Sequence, residues 1–374
     1  MKSYQSDNIK LRDIYFDYTK QGLVTIAKIH KLPRVTTYKK QELIDVLSEY
    51  VLQKEIMERY FALMDDDEIN AFQSIINGKG EDVDYDLAFH LLEGGYLGSE
   101  FEFVVPKDVE NAYETFNNKE FHKKRNYIGG IWEYCETSRI LYGVVPLDII
   151  VKAYNQNEKS QITIEDLLDA TTQFPSNRVH FVLKDNLLIS SDIVDDDDYI
   201  ELQKLQGDKP YYLPNKEEVK MYSRAGYSPM DIYVFNVINF LNEIVGLSEE
   251  EACMITFDIQ EEIRNDCRMQ DIFDLLSEND IYFTNDNQMQ QFTPLIKELW
   301  NNTRMLLNRG YTPTEFAEII EQKEKRFPLA NNVESNVNSN VIDFTQAKKN
   351  KIYPNSPCPC NSGLKYKHCC GKNN

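Results

Sequence analysis

No apolar run in this chain reaches the roughly 18 to 20 residues that a membrane-spanning helix needs. The best candidate, Val234 to Leu241, is broken by Asn236 and Asn239. The chain starts with neither an apolar nor an arginine-rich presequence, so a cytoplasmic protein without membrane insertion is expected. Also absent are the Gly-x-x-x-x-Gly-Lys-Ser/Thr phosphate loop, the dinucleotide-binding glycine fingerprint, the Gly-x-Ser-x-Gly elbow and His-Glu-x-x-His. Each supplies a specific chemistry through its spacing, so their joint absence leads to the expectation that the chain is not an enzyme. His30, His90, His122 and His180 are spread out and read as structural or surface residues. The acidic runs Asp65 to Glu68 and Asp195 to Asp198 read as solvated loops or helix starts, where carboxylates favour the helix dipole.

Seven cysteines are present. Cys135, Cys253 and Cys267 stand singly in helical-looking sequence, where a free cysteine behaves as a small hydrophobe. Cys358, Cys360, Cys369 and Cys370 cluster near the C-terminus. An odd total with such clustering argues against a secreted disulfide framework and for a metal site in a reducing compartment.

The net charge of −20 is unevenly placed. Residues 1–40 hold nine Lys/Arg against three Asp, and residues 344–374 hold six Lys and no acid. The acidic body repels nucleic acid, whereas the basic ends can touch it or an acidic protein surface.

A mainly α, multi-domain chain is expected. Residues 1–55 read as a basic helical module: an apolar-periodic stretch from Leu23 to Leu32, a turn from Pro33 to Tyr38, and a second helix led by Lys39 and Lys40. In that second helix Leu43, Ile44, Val46 and Leu47 form the apolar side. The module resembles the SAP and Rho N-terminal-like families of small nucleic-acid-binding units, which points to Lys28, Lys31, Arg34, Lys39 and Lys40 as candidate phosphate contacts. Residues 56–205 contain two passages with the order helix, helix, extended segment or hairpin, the second hairpin turning at Lys184 to Asn186. They read as tandem winged-helix-like α+β units. Residues 206–330 read as a helical domain with an internal echo at Gly226-Tyr227-Ser228-Pro229 and Gly310-Tyr311-Thr312-Pro313. In each echo Gly closes one segment in a left-handed conformation. Ser or Thr caps the next helix, Pro fills its first position, and Asp231 or Glu315 sits at the third. Residues 331–350, rich in Asn and Ser, are expected to be a flexible linker.

Residues 351–374 form the most specific segment. Pro359 fixes the backbone between Cys358 and Cys360, and Ser362-Gly363 lets the chain reverse. A short helix can then return Cys369 and Cys370 to a common ion. Four thiolates suit tetrahedral Zn²⁺, with His368 as an alternative ligand for one of the adjacent pair. Lys365, Lys367 and Lys372 offset the negative charge of such a site. The segment resembles the SEC-C motif, the zinc-binding tail of the bacterial SecA translocase motor, through Cys-Pro-Cys, Ser-Gly, Lys-Tyr-Lys and Cys-Cys-Gly. Two departures stand out: Asn361 replaces the usual Gly, and Tyr353-Pro354 replaces a basic residue. The resemblance implies contacts with an export chaperone, ribosomes or phospholipid. A non-enzymatic adaptor using this tail to contact a protein or ribosomal partner is therefore expected. The alternative is a nucleic-acid-binding regulator acting through the basic module and winged-helix-like units. An enzyme with a polar cleft between helical domains is a third possibility.

Overall fold

Helix starts in this chain are written by short polar side chains that satisfy otherwise orphaned amides. Thr19, Asp65, Asn118, Thr163, Asn215, Ser248 and Asn285 each accept from an amide in the first turn of the helix that follows. The computed structural model describes residues 8–99, 102–194 and 198–326, and over them the chain is mainly helical. It divides into two compact units at Pro229/Met230.

The first unit opens with α1 (Leu11–Tyr15), α2 (Lys20–Ile29), α3 (Lys40–Val51), α4 (Lys54–Phe61), α5 (Asp66–Ile76), α6 (Tyr85–Glu93) and α7 (Lys107–Glu114). The expected apolar side of α3 is buried through Leu43, Ile44 and Leu47, with Val46 half-buried. The apolar residues of α1 to α3 have no core of their own. They run without a break into those of α4 to α7, around Phe61, Phe72, Tyr96 and Tyr113. Backbone groups fasten the join. The Leu11 amide donates to Asp108 Oδ1 at 2.9 Å, the Lys107 amide to Ile9 O at 2.9 Å, and the Tyr96 hydroxyl to Val51 O at 3.1 Å. The only ladder in this part, among the described residues, is the short antiparallel pair β1 (Gly98–Ser99) and β2 (Phe103–Val104).

The long helix α8 (Lys119–Tyr142) is about 36 Å in length at 1.5 Å per residue. From Tyr134 to Tyr142 it is buried on every side, so it forms the spine of a second apolar cluster. Gly143, at φ 67°, ends it and turns the chain into β3 (Val144–Pro146). Then follow α9 (Leu147–Asn157), α10 (Ile164–Thr171) and the hairpin β4 (Phe181–Lys184) to β5 (Leu187–Ser190), whose turn residues Asp185 and Asn186 both have positive φ. The sheet order is β3-β5-β4, all antiparallel, in register from Val144 opposite Ile189 to Phe181 opposite Ser190. Next come α11 (Asp198–Gln206) and α12 (Lys216–Ala225). Residues 206–225, read from sequence as the start of the helical domain, pack here: Gln206 Nε2 donates to Tyr142 O at 2.9 Å and Thr137 Oγ1 to Val219 O at 3.0 Å.

The second unit contains α13 (Ile232–Phe240), α14 (Glu249–Arg264), α15 (Met269–Glu278), α16 (Asp286–Asn302) and α17 (Pro313–Arg326) around Phe240, Phe283 and Phe292. The two echoes punctuate differently. Gly226 and Gly310 both take positive φ as expected. Thr312 caps α17, with Pro313 as the first helical residue and the Glu315 amide donating to Thr312 Oγ1. At the first echo the cap is Asp231, not Ser228. Its Oδ1 accepts the amides of Tyr233 and Val234 at 2.8 and 3.0 Å, leaving Pro229 outside the helix. Aspartate caps as well as serine, so the later residue sets the start. No helix among the described residues is long and apolar enough to cross a membrane.

Candidate functional site

Two charge networks meet in the first unit. The start of α5 is a capping box. Asp65 Oδ1 accepts the amides of Asp67 and Glu68 at 2.8 and 2.9 Å, and Glu68 Oε2 accepts the Asp65 amide at 2.8 Å. The second Glu68 oxygen is buried against other elements, 2.6 Å from His90 Nδ1 and 3.0 Å from Arg178 Nη1. Arg178, just ahead of β4, also donates to Leu63 O, and its guanidinium lies 4.9 Å from the Trp132 ring centroid. Trp132 Nε1 returns a bond to Arg178 O at 2.6 Å. Burial works against the Glu68 charge, yet the His90 hydrogen bond and the Arg178 charge outweigh it and hold the carboxyl down to about 2.

The second network lies on α8. Glu136, 2% exposed, accepts from Arg139 Nε and Nη2 at 2.9 and 2.5 Å and lies 3.4 Å from His180 Nδ1. Burial opposes its charge, but the bonds from His180 and Arg139 prevail and its pKa is lowered. Its other oxygen, Oε2, is buried without a hydrogen-bond partner among the described residues.

Between these networks runs a polar cleft of about 650 Å³, within the size range of small-molecule sites. The start of α5, His90 on α6, the middle of α8, Arg178, His180 and α12 line it. Most of its cations are engaged: Arg125 with Asp66, Lys216 with Glu158, and Arg224 with Asp65 and Asp67. Glu133 on α8 stands apart. Burial pushes its pKa up while Lys220 and Arg224 pull it down, and it makes no hydrogen bond or ion pair with a described residue. Among the described residues, no three of His, Cys, Asp and Glu are placed to hold a metal ion.

Sequence reading did not find these networks. Its reading of the first acidic run as a helix start holds for Asp65, but Glu68 is a buried partner as well as a cap. The hint was present in the spacing Asp65-x-x-Glu68, which aims a carboxylate at the helix entrance. Nothing local indicates that Arg178, over a hundred residues on, meets it. His30, by contrast, is a structural histidine as expected. It is 1% exposed, its Nε2 lies 2.8 Å from Gly94 O, and burial lowers its pKa to about 4. The Cys135 thiol is fully buried, with its pKa driven upward by burial. Cys267 is half-buried and pushed up to about 12.

Lys28, Lys31, Arg34, Lys39 and Lys40 are all exposed and gather around the α2–α3 connection. Lys31 and Arg34 have positive φ, and Lys40 Nζ donates to Phe16 O at 2.9 Å. Burial and the nearby Arg59 lower the pKa of Lys31. Cys358, Cys360, Cys369 and Cys370, and Asp195 to Asp197 of the second acidic run, lie outside the described residues.

The comparisons with known proteins concern the tail and a limited stretch of the chain. The SEC-C motif matches residues 355–372, a span that contains all four clustered cysteines. The protein translocase subunit SecA of Helicobacter hepaticus is 34% identical over 97 residues, covering 23% of this chain and 11% of that protein. SecA of Lachnoclostridium phytofermentans is 45% identical over 53 residues, covering 14% of this chain and 6% of that protein. SecA of Dichelobacter nodosus is 61% identical over 29 residues, covering 8% and 3%. No solved structure matches. The chain thus carries a SEC-C motif at 355–372 and is similar to SecA in its tail, while spanning about a tenth or less of the length of these relatives.

Proposed function

We propose that this chain is a zinc-binding, non-enzymatic interaction protein whose tail contacts a protein or ribosomal partner. The observation that carries this reading is the SEC-C match at 355–372. Its donor set suits the metal: four soft thiolates, Cys358, Cys360, Cys369 and Cys370, close a tetrahedron around Zn²⁺ and leave no position for a reacting water. When bound, the ion supplies a structural crosslink. Lys365, Lys367 and Lys372 offset the charge of the site and give the tail a positive surface for its partner. Zinc folding of such short segments typically contributes about 10–16 kcal/mol, enough to order a module of this size. One zinc per full-length chain is expected by elemental mass spectrometry, and none after Cys369→Ser with Cys370→Ser. The same pair of changes should remove partners that the unaltered chain captures by crosslinking. Full zinc content in the double variant would sink the assignment of the ligands.

A second reading, as a nucleic-acid-binding regulator, draws support from α8, β3, α9, α10 and the β4–β5 hairpin, an element order and strand order shared with winged-helix units. The charge on α10 opposes it. The helix that such units place against nucleic acid carries Glu165, Asp166 and Asp169 and no Lys or Arg. Nucleic-acid contact therefore falls to the five basic residues around the α2–α3 connection. Under this reading DNA or RNA binding is salt-sensitive, and Lys39→Glu with Lys40→Glu weakens it and flattens its salt dependence in a filter-binding titration. Binding that survives both changes would exclude this surface.

A further inference from the structure

The middle of α8 carries two consecutive glycines, Gly129 and Gly130, at helical φ. Glycine is the least favourable helix residue after proline, and here packing gives no reason for it. A methyl group added at Gly129 would meet Ala62 O at 3.5 Å, and one at Gly130 would meet Tyr154 Cε2 at 3.8 Å. Both are ordinary contacts. Both glycines line the cleft of the first unit, and Glu133 and Glu136 follow them along the helix at spacings that keep neighbours on one side. The glycines leave a floor without side chains, and the carboxylates stand at one end of it.

The charges around this floor choose the sign of an occupant. Eight Asp or Glu line the cleft against five Lys or Arg, and of these cations Arg125, Arg178, Lys216 and Arg224 already hold carboxylates, so the cleft is net acidic even with Lys220 counted. Glu133 has no hydrogen-bond or ion-pair partner among the described residues. Glu136, 98% buried, holds Arg139 through Oε1 and keeps Oε2 without a donor among the described residues. A buried acceptor left without a donor is costly, and a ligand N–H relieves that cost. We propose that this cleft binds a guanidinium or primary ammonium group over the Gly129–Gly130 floor, against the carboxylates of Glu133 and Glu136.

That chemistry is carried both by small diffusible amines and by the side chain of an exposed arginine, and the test separates them. Agmatine, and a blocked Gly-Arg-Gly peptide, are titrated into the full-length protein by calorimetry, with acetate and inorganic phosphate as anionic controls. The expected result is saturable binding of one cation and neither anion, weakened at least tenfold by Glu133→Gln. Gly130→Ala should raise the melting temperature, since alanine suits the helix better, and weaken binding by filling the floor. Preference for agmatine assigns a small amine, and preference for the peptide an arginine side chain. Absence of cation binding at millimolar concentration, or binding indifferent to Glu133→Gln, overturns the proposal. Gly130→Ala and Glu133→Gln leave the tail untouched, so this outcome is independent of the zinc reading.

Discussion

Replacing Glu68 with alanine should destabilise the first unit by about 3–5 kcal/mol, the typical cost of removing one member of a buried ion pair. The reason is the charge left behind. Arg178 is 8% exposed, and without Glu68 its largely buried guanidinium keeps, among the described residues, only Leu63 O and the Trp132 ring as compensation. Loss of the Glu68 bond to the Asp65 amide adds to the effect at the start of α5. For a unit of this size the shift in melting temperature is on the order of 10 °C. Glu68→Gln should cost less, because the amide oxygen still accepts one hydrogen bond, while Arg178→Ala removes the buried charge itself. Thermal unfolding followed by circular dichroism ranks the three. A loss below about 1 kcal/mol in Glu68→Ala, the worth of an exposed pair, would show that this network is not a buried ion pair in solution.

Acidification should weaken the fold well before carboxylates in general are neutralised. Burial lowers the pKa of His30 from 6.5 to about 4, so the folded state holds it neutral where the unfolded chain binds a proton. Stability from this group is complete above pH 6.5, declines as pH falls through the window to 4, and is lost below it. The total is about 3 kcal/mol, at about 1.4 kcal/mol per pH unit. Glu68 continues the trend lower down. Its pKa falls from 4.5 to about 2 in the fold, so its contribution is present above pH 4.5 and disappears toward pH 2. Urea titrations at a series of pH values read the slope directly. His30→Gln keeps a donor for Gly94 O and does not titrate, so it should flatten the curve between pH 6.5 and 4. An unchanged slope in that variant would mean that another group accounts for the decline.

How far the sequence reached follows from the range of the forces involved. Helix punctuation is local, so Pro313 after Thr312, the glycine at 310 and the turn at Asp185-Asn186 were legible before any fold was known. Where two local signals compete, as Ser228 and Asp231 do, local reasoning chooses wrongly. Domain limits are less local still. Residues 1–55 look self-contained because they hold two amphipathic helices, but their apolar faces are completed by α4 to α7, and the backbone bonds from Leu11 and Lys107 cross the expected boundary. The cleft was the least legible feature. It is assembled from α5, α6, α8 and α12, and its partners Glu68 and Arg178 are 110 residues apart. The tail is the opposite case. Four cysteines within thirteen residues, with Cys-Pro-Cys, Ser-Gly, Lys-Tyr-Lys and Cys-Cys-Gly, place the whole motif in a single segment, which is why it was recognisable from local sequence.

The most direct test of the tail as a zinc-dependent interaction element is reversible metal removal from the full-length chain. Partners are quantified by crosslinking and ribosome co-sedimentation with the zinc-loaded protein, after chelation, and after zinc is restored. The account predicts that a defined set of partners is lost on chelation, returns with zinc, and is missing throughout from the Cys369→Ser, Cys370→Ser variant. Partners that persist unchanged through chelation and in that variant would contradict it.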